Sequence, residues 1–489
     1  MSAEKNLTKN GLYFLVYNVL NLGFPIINGV YVSHVLLPEE IGSVSVAQNL
    51  MQYFITFSIL GIPTYGLREI AKVRDNQKEL NQVFSELFTI NFISTVCFLI
   101  VYIGLISIVP TYRKDFFLYL VFALSIAFNI FDISWLFTGL EDFKYISIRN
   151  IVCKATAFLF LITLVKGSND FFTYVFIVVL GDGSNKIANI FFVRNVVRFK
   201  AKNLNLKRHL RSIFYLVFVN LAIELYSLMD ITMMNFMCSK DRIAFYKYAH
   251  QIQIMLLQVV NTITLVLVPR ISIYYKEKNF QGFNSLVSKG LKLIIILSAP
   301  MIVGLFFTAD SLIVMIYGDS FIATAHLLKI FSLLLLISPI GYLLGSRVLL
   351  ATGHENLMIF AVGGGAAVNF VANWILIPKY YEFGATIASI IGEIVLMIIY
   401  VYMGKKHFKL EEIPITSIKV CVAVVLMGIF LFACSLLKIA PWFVLILQII
   451  GAMFIYGLLL LLEKESIVFC YYNILRLKAM SFLHSRAHV

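Results

Sequence analysis

Runs of about twenty apolar residues recur along the whole chain, and no other feature restricts its folding as much. Wound as a helix at about 1.5 Å per residue, each run spans ~30 Å, the thickness of bilayer hydrocarbon. Backbone amides have no water to bond there, so only helices or a closed barrel can cross. The runs are too long, and alternate too little, for barrel strands. Composition agrees. Of 489 residues 60% are hydrophobic and 13% are charged, against about 25% charged in a soluble domain. The expected class is an all-α polytopic membrane protein with about 14 transmembrane helices.

Hydropathy sets the spans near 11–33, 41–63, 83–109, 116–138, 148–166, 171–193, 212–237, 244–268, 286–308, 323–346, 357–377, 384–403, 417–437 and 441–462. The first run, from Gly11 to about Val32, is too long for a signal peptide and no small-residue cleavage pattern follows it, so it reads as the first membrane helix. Cys97, Cys153, Cys238, Cys421, Cys434 and Cys470 are scattered without a CxxC pair and read as small packing residues. With the N-terminus inside, about 29 Lys and Arg fall in cytoplasmic segments and about 7 in outer loops. The segment "RNVVRFKAKNLNLKRHLR" (Arg194–Arg211) supplies seven of the former. Both termini are therefore expected in the cytoplasm. The net charge of +14 follows from that topology. It is split among short loops, so nucleic-acid binding is a poor explanation.

The chain repeats itself. "GIPTYGLREIAKVRDNQKEL" (Gly61–Leu80) and "LVLVPRISIYYKEKNFQGF" (Leu265–Phe283) each end an apolar run near a proline, follow it with an arginine, and lead on through a basic amphipathic stretch. An offset of 202 residues lays Asn18 on Asn220, Asn28 on Asp230, Arg68 on Arg270 and Arg74 on Lys276. A slightly longer offset lays "TGLED" (Thr138–Asp142) on "TGHEN" (Thr352–Asn356), and Gly181–Asp182 on Gly392–Glu393. Six spans is an even number, so the repeats run in the same direction and form two parallel six-helix lobes. The expected division is an N-lobe over 1–200, a C-lobe over 201–410, and two further helices with a cytoplasmic tail over 411–489. Each paired stretch reads as the same corner, an amphipathic helix at the headgroups with its basic side out.

Any chemistry must come from polar groups inside the spans, where ionisable residues are costly and face a bundle interior or a water cavity. Span 7 carries Asn220, Glu224, Ser227 and Asp230 on one helical face, and span 1 carries Asn18, Asn21 and Asn28 in the equivalent place. Span 6 has Asp182, Asn185, Lys186 and Asn189, and span 8 has Lys247, His250, Gln251, Gln258 and Asn261. Asn129 and Asp132 lie in span 4, Lys154 in span 5, Asn369 and Asn373 in span 11, and Glu393 in span 12. Plainer readings stand beside these. Asp182 and Lys186, four apart, can pair with each other. The Asn and Gln stripes can be interhelical glue, and His250 can be a packed core histidine. Asp132 and Asp230 have no basic partner four residues away on their own helices. "GYLLG" (Gly341–Gly345) and "GGG" (Gly363–Gly365) read as close packing or bending. No HExxH, GxSxG or Walker sequence is present, and no outer loop is long enough for a soluble catalytic domain. The chain does not read as an enzyme.

Four stretches carry a family resemblance: "GIPTYGLREIAKVRD", "WLFTGLEDFKYISIRNI", "LMDITMMNFMCSKDRIAFYKYAHQI" and "LATGHENL". With the 14-span plan, they resemble the MOP superfamily and within it the Wzx-type polysaccharide (O-antigen or capsule repeat-unit) flippases. "SHVLLPEEIG" (Ser33–Gly42) departs from that pattern, with His34 where the family often has Arg. The resemblance implies a bacterial inner-membrane protein that moves an undecaprenyl-diphosphate-linked oligosaccharide across the bilayer by alternating access in a V-shaped, two-lobed cavity. Asp132, Lys154, Asp182, Lys186, Glu224, Asp230, Lys247, His250 and Glu393 are then candidates to line the cavity. Arg68, Arg149 and Arg270, with Lys154, are candidates for the diphosphate, since a guanidinium binds phosphate in a two-pronged way. No cofactor is implied, and H⁺ and Na⁺ both stay open as coupling ions. Membrane lipids, a polysaccharide polymerase and chain-length proteins are the implied partners. The rivals are a MATE-type multidrug antiporter, against which spans 13 and 14 count, a lipid-linked peptidoglycan precursor flippase, and a membrane-embedded transferase using His250 or Asp132.

Overall fold

The computed structural model describes residues 20–21, 23–200, 202, 204–406, 413–437, 439–465 and 468–469. The start of the expected first span with Asn18, the side chain of Asn220, Cys470 and both chain termini lie outside the described residues. Among the described residues every regular element is helical. They are α1 (residues 23–35), α2 (Pro38–Ile59), α3 (Ile62–Val73), α4 (Gln77–Ile108), α5 (Pro110–Arg113), α6 (Phe116–Phe128), α7 (Ser134–Gly139), α8 (Phe143–Leu164) and α9 (Phe171–Val193). Then come α10 (Lys207–Met237), α11 (Lys240–Lys276), α12 (Phe280–Tyr317), α13 (Ile322–Phe331), α14 (Leu334–Gly341), α15 (Val348–Ala351), α16 (Met358–Gly404), α17 (Ile413–Ser435) and α18 (Pro441–Leu462).

Among the described residues, eleven helical stretches are long and apolar enough to cross a membrane. The all-α multi-pass class therefore holds, while length and apolarity give eleven against the expected fourteen or so. One of the eleven, α16, is a hairpin. Tyr381 has φ 52° inside it, and a Cβ on Gly384 would lie 2.4 Å from the carbonyl oxygen of Leu376. Residues eight apart on a straight helix are ~12 Å apart, so the chain has folded back. Its two arms match the expected spans 357–377 and 384–403. Large apolar side chains such as Phe191 and Met453, each 72% exposed, are the surface that hydrocarbon favours and water does not.

The chain forms two compact units, Met1–Lys247 and Tyr248–Val489. In the first, α2 ends at Ile59, and Leu60 (φ 51°) and Gly61 (φ 73°) turn the chain into α3. Ile62, Gly66 and Ile70 face inward there, while Arg68 and Lys72 are exposed, which is the amphipathic corner helix expected. Gly66 is required at that contact: a Cβ would come 2.7 Å from the Trp135 ring. The run 116–138, expected as one helix, is interrupted. Helix α6 stops at Phe128, Asn129–Phe131 is a 3₁₀ turn, and Asp132 has ψ 84° before α7 begins at Ser134.

In the second unit the expected corner at Pro269 is not a helix end. Helix α11 runs on through Pro269 to Lys276, and the chain turns only at Lys278, with φ 57°. A proline removes one backbone bond and kinks a helix, but neighbours inside a bundle make good that loss. Leu267 and Ile271, on either side of Pro269, belong to the cluster of Phe283, Val287 and Leu291 on α12. After α14 the chain forms a π-helical segment, Tyr342–Arg347. The offset of 214 that lays Thr138 on Thr352 lays Asn129–Ile133 on 343–347. Both repeats thus depart from regular α-helix at the same place.

Candidate functional site

The break in unit 1 frees carbonyls at membrane depth, where an unpaired polar group costs ~2–7 kcal/mol. Side-chain amides take them up. Asn91 Nδ2 on α4 donates to the carbonyls of Asn129 (3.1 Å) and Ile130 (3.3 Å), and Asn189 Nδ2 on α9 donates to that of Phe131 (3.0 Å). Asn129 itself donates to Ser58 Oγ at 3.1 Å. These asparagines hold an irregular backbone in place.

Asp132 sits at the break. Its carboxylate accepts from the Ser134 amide (3.3 Å) and hydroxyl (2.8 Å), an Asx turn that leads into α7. Ser134 Oγ in turn accepts from Arg149 Nη2 at 3.3 Å. The Arg149 guanidinium, 8% exposed, also donates from Nε to Asn185 Oδ1 (2.7 Å) and from Nη1 to Asn189 Oδ1, and lies 5.3 Å from the Tyr145 ring centroid. Its acceptors are all neutral. Asp132 reaches it only through the Ser134 hydroxyl, so the positive charge keeps its field for a further anion. From Asn185 the chain of bonds continues to Asn150 Oδ1 (3.2 Å), then from Asn150 to Asn21 Oδ1 (2.9 Å), which also accepts from Lys154 Nζ at 2.5 Å.

Two cavities flank this network. One of about 170 Å³ is lined by Phe24, Asn28, Lys154, Asp182 and Asn185 among others. The other, about 530 Å³, is lined by Lys144, Tyr145, Arg149, Cys153 and Phe192 among others. Sequence reasoning named Asp132, Arg149, Lys154, Asp182 and Lys186 separately; the fold gathers them around α8 and α9. Asp182 and Lys186 do pair, at 2.8 Å.

The other candidates lie elsewhere. In unit 1 Asp230 Oδ2 accepts from Tyr246 Oη at 2.6 Å, and Lys247 Nζ donates to Gln48 Oε1 at 2.8 Å. Glu224 is half-buried on α10, two turns before Asp230. In unit 2 Glu393 Oε2 accepts from Ser338 Oγ at 2.7 Å, and the His250 ring lies 5.6 Å from that of Phe331. Arg68 and Arg270 are exposed, Arg68 on the separate helix α3 and Arg270 within α11.

Sequence reasoning missed one cluster outright. Glu86 on α4 is 1% exposed and His209 2%. Glu86 accepts from Arg208 Nε and His209 Nε2, both at 2.8 Å, from Gln82 Nε2 at 2.7 Å and from the Asn205 amide at 2.8 Å. His209 Nδ1 meets Tyr65 Oη at 2.9 Å. One face of α4 continues this: Asn81 Oδ1 takes the Arg198 amide and Ser85 Oγ the Lys200 amide, each at 2.8 Å. The signal was present, an acid three residues inside an expected apolar span, but three of its four partners lie 119 to 123 positions away.

Against known proteins, the family model described as polysaccharide biosynthesis protein matches residues 7–275, and that described as lipid II flippase MurJ matches residues 148–453. A candidate O-antigen transporter of Escherichia coli (strain K12) is 22% identical over 409 residues, covering 82% of this chain and 98% of the relative. The capsular polysaccharide biosynthesis protein CapF of Staphylococcus aureus is 26% identical over 155 residues, 30% of this chain and 37% of that protein. Among solved structures, lipid II flippase MurJ in an inward closed conformation aligns with a TM-score of 0.75 at 16% identity, covering 94% of this chain and 99% of that one. An inward-facing MATE family multidrug transporter of the MOP superfamily aligns with a TM-score of 0.62 at 13% identity, covering 78% and 93%. At these identities the structures speak for the fold alone.

Proposed function

Because the chain belongs to the polysaccharide biosynthesis protein family, we propose that it is a flippase, which carries undecaprenyl-diphosphate-linked oligosaccharide across the bacterial inner membrane with both termini in the cytoplasm. It is a transporter and performs no covalent step. A sugar head dragged unaided through hydrocarbon loses a hydrogen bond at every hydroxyl, at kilocalories each. Groups that bond the head along its path remove that barrier, and a switch of access from one face to the other completes the transfer.

One observation carries this reading. Arg149 is a buried guanidinium fixed by three neutral acceptors and facing a cavity of about 530 Å³ beside Lys144 and the Tyr145 ring. A cation stored without a carboxylate in direct contact is suited to an incoming diphosphate, and an aromatic face beside it is suited to a sugar. Lys154 supplies a second cation one helical turn further along α8. The charged cavity candidates, the lobes at 1–200 and 201–410, and a polymerase or chain-length protein as partner belong to the same proposal.

The test is Arg149→Gln and Arg149→Lys in cells that depend on this protein for surface polysaccharide. Export is expected to be lost in the first and to fall about tenfold in the second, where one point charge replaces the fork, with membrane protein level unchanged. Normal export in Arg149→Gln would refute the reading. The match to the MurJ family supports a peptidoglycan precursor as a second substrate class. Rescue of cells depleted of their own lipid II flippase separates the two, since both substrates share the carrier diphosphate.

A further inference from the structure

Arg347 closes the π-helical segment of unit 2, and sequence reasoning gave it no part. Its Nε is buried and meets no hydrogen-bond partner. Among the described residues none of its other nitrogens takes part in a hydrogen bond or ion pair. A guanidinium offers five donors; leaving the buried Nε–H unpaired is costly, while Arg347 as a whole is half-buried, so its remaining donors are within reach of a ligand. Arg149 in unit 1 spends its nitrogens on Asn185, Asn189 and Ser134; Arg347 has no such holders.

The surroundings are built rather than incidental. Gly345 lies one turn or less before Arg347, and a Cβ there would come 2.1 Å from Tyr400 Cβ. At Gly341 a Cβ would come 3.1 Å from Met397 Cα. The π segment is thereby pressed against the second arm of α16, which fixes where the arginine stands. The hydroxyls of Tyr342 and Tyr400 are its electrostatic neighbours. Glu393 also acts on both tyrosines, but its Oε2 is occupied by Ser338. Short π segments inside α-helices recur at functional sites, and this one occupies the repeat position of the break beside Asp132.

We propose that Arg347 is a phosphate contact of unit 2, its fork taking an oxyanion that the folded chain itself does not supply. The inference rests on the flippase reading above and extends it. Two sources carry that chemistry: the diphosphate of the carrier lipid and the headgroup of a bulk phospholipid.

The experiment uses the full-length protein in nanodiscs, with binding of undecaprenyl diphosphate measured for the wild type, Arg347→Gln and Arg347→Lys. It is run in discs of phosphatidylcholine alone and in discs containing phosphatidylglycerol. Arg347→Gln is expected to bind at least tenfold more weakly and Arg347→Lys several-fold more weakly in both discs. Arg347→Lys keeps the charge and stands in should the glutamine variant not fold. Phosphatidylglycerol retained by each protein through purification is counted in parallel, and less of it on Arg347→Gln with carrier binding unchanged assigns the phosphate to bulk lipid and supports the contact with that source. Equal carrier binding and equal retained lipid in all three proteins overturn the assignment of Arg347 and leave the flippase reading intact. Failure of the wild type to bind overturns both.

Discussion

Glu86 gathers Arg208, His209, Gln82 and the Asn205 amide onto one buried carboxylate, so its removal should unfasten the segment that joins α9 to α10. In Glu86→Ala the His209 ring and the Asn205 amide lose their acceptor in the interior. Removing one partner of a buried ion pair costs ~3–5 kcal/mol. Arg208 is 44% exposed and can turn to water, which puts the expected loss near the lower end, ~3 kcal/mol. For a unit of this size that corresponds to a fall of ~6–12 °C in the unfolding midpoint. Glu86→Gln keeps the shape and two acceptor bonds but presents an amide N–H to Arg208 and His209, so about half the loss is expected. The assay is thermal unfolding of the purified protein together with limited trypsin digestion. Arg198 and Lys200 are exposed, but their backbone amides are tied to Asn81 and Ser85. Cleavage after them therefore needs local opening, and it should quicken in both variants. Unchanged digestion with a midpoint within ~2 °C of the wild type would refute the argument that Glu86 fastens this segment.

Asn91→Leu should leave the Asn129 and Ile130 carbonyls unpaired and lower the unfolding midpoint by ~4–8 °C, equivalent to ~2 kcal/mol; a midpoint equal to the wild type's would show that the break finds other donors. Arg68→Lys and Arg270→Lys set the paired corners against each other. If Arg68 contacts the lipid carrier's phosphates its lysine variant should export several-fold less polysaccharide at equal membrane level, whereas Arg270→Lys, with Lys276 and Lys278 close by in sequence, should export normally; full export by both would leave only a headgroup-anchoring role.

The parts of this fold that sequence made legible are those fixed within one turn or one repeat. Hydropathy found the apolar helices because each depends only on its own residues, and Gly61 marked the corner before α3. Asp132 is also local in retrospect, since a carboxylate two residues before a serine amide forms an Asx turn. What stayed hidden depends on partners far along the chain. The run 116–138 is apolar enough to read as one span despite Asn129 and Asp132, and Asn91 and Asn189, from two other helices, show why its backbone can break there. Glu86 was invisible for the same reason, its acceptor lone pairs being filled from Gln82 and from residues 205–209. Pro269 misled in the opposite sense: the local rule says stop, and packing of Leu267 and Ile271 against α12 overrides it.

The repeat shows why equivalence in sequence does not become equivalence of charge. The offset of 214 lays Arg149 on Gly363 and Arg347 on Ile133, so neither guanidinium has a counterpart. The offset of 211 that lays Gly181–Asp182 on Gly392–Glu393 lays Asn185 and Asn189 on Leu396 and Tyr400. The two amides that hold Arg149 are therefore absent from the second unit, and an arginine at 363 would find no such acceptors there. A guanidinium at 347 has Tyr400 as an electrostatic neighbour instead, on the arm of the hairpin against which Gly345 packs. In the first unit that face carries Asn189, already committed to the Phe131 carbonyl and to Arg149. Each unit thus keeps one cation next to its irregular segment, on a different helix and with different neighbours. Arg149 has a neutral acceptor on each of its three nitrogens and position 363 offers none of them, so moving the arginine to its repeat position by Arg149→Gly and Gly363→Arg should not restore export that Arg149→Gly alone has lost.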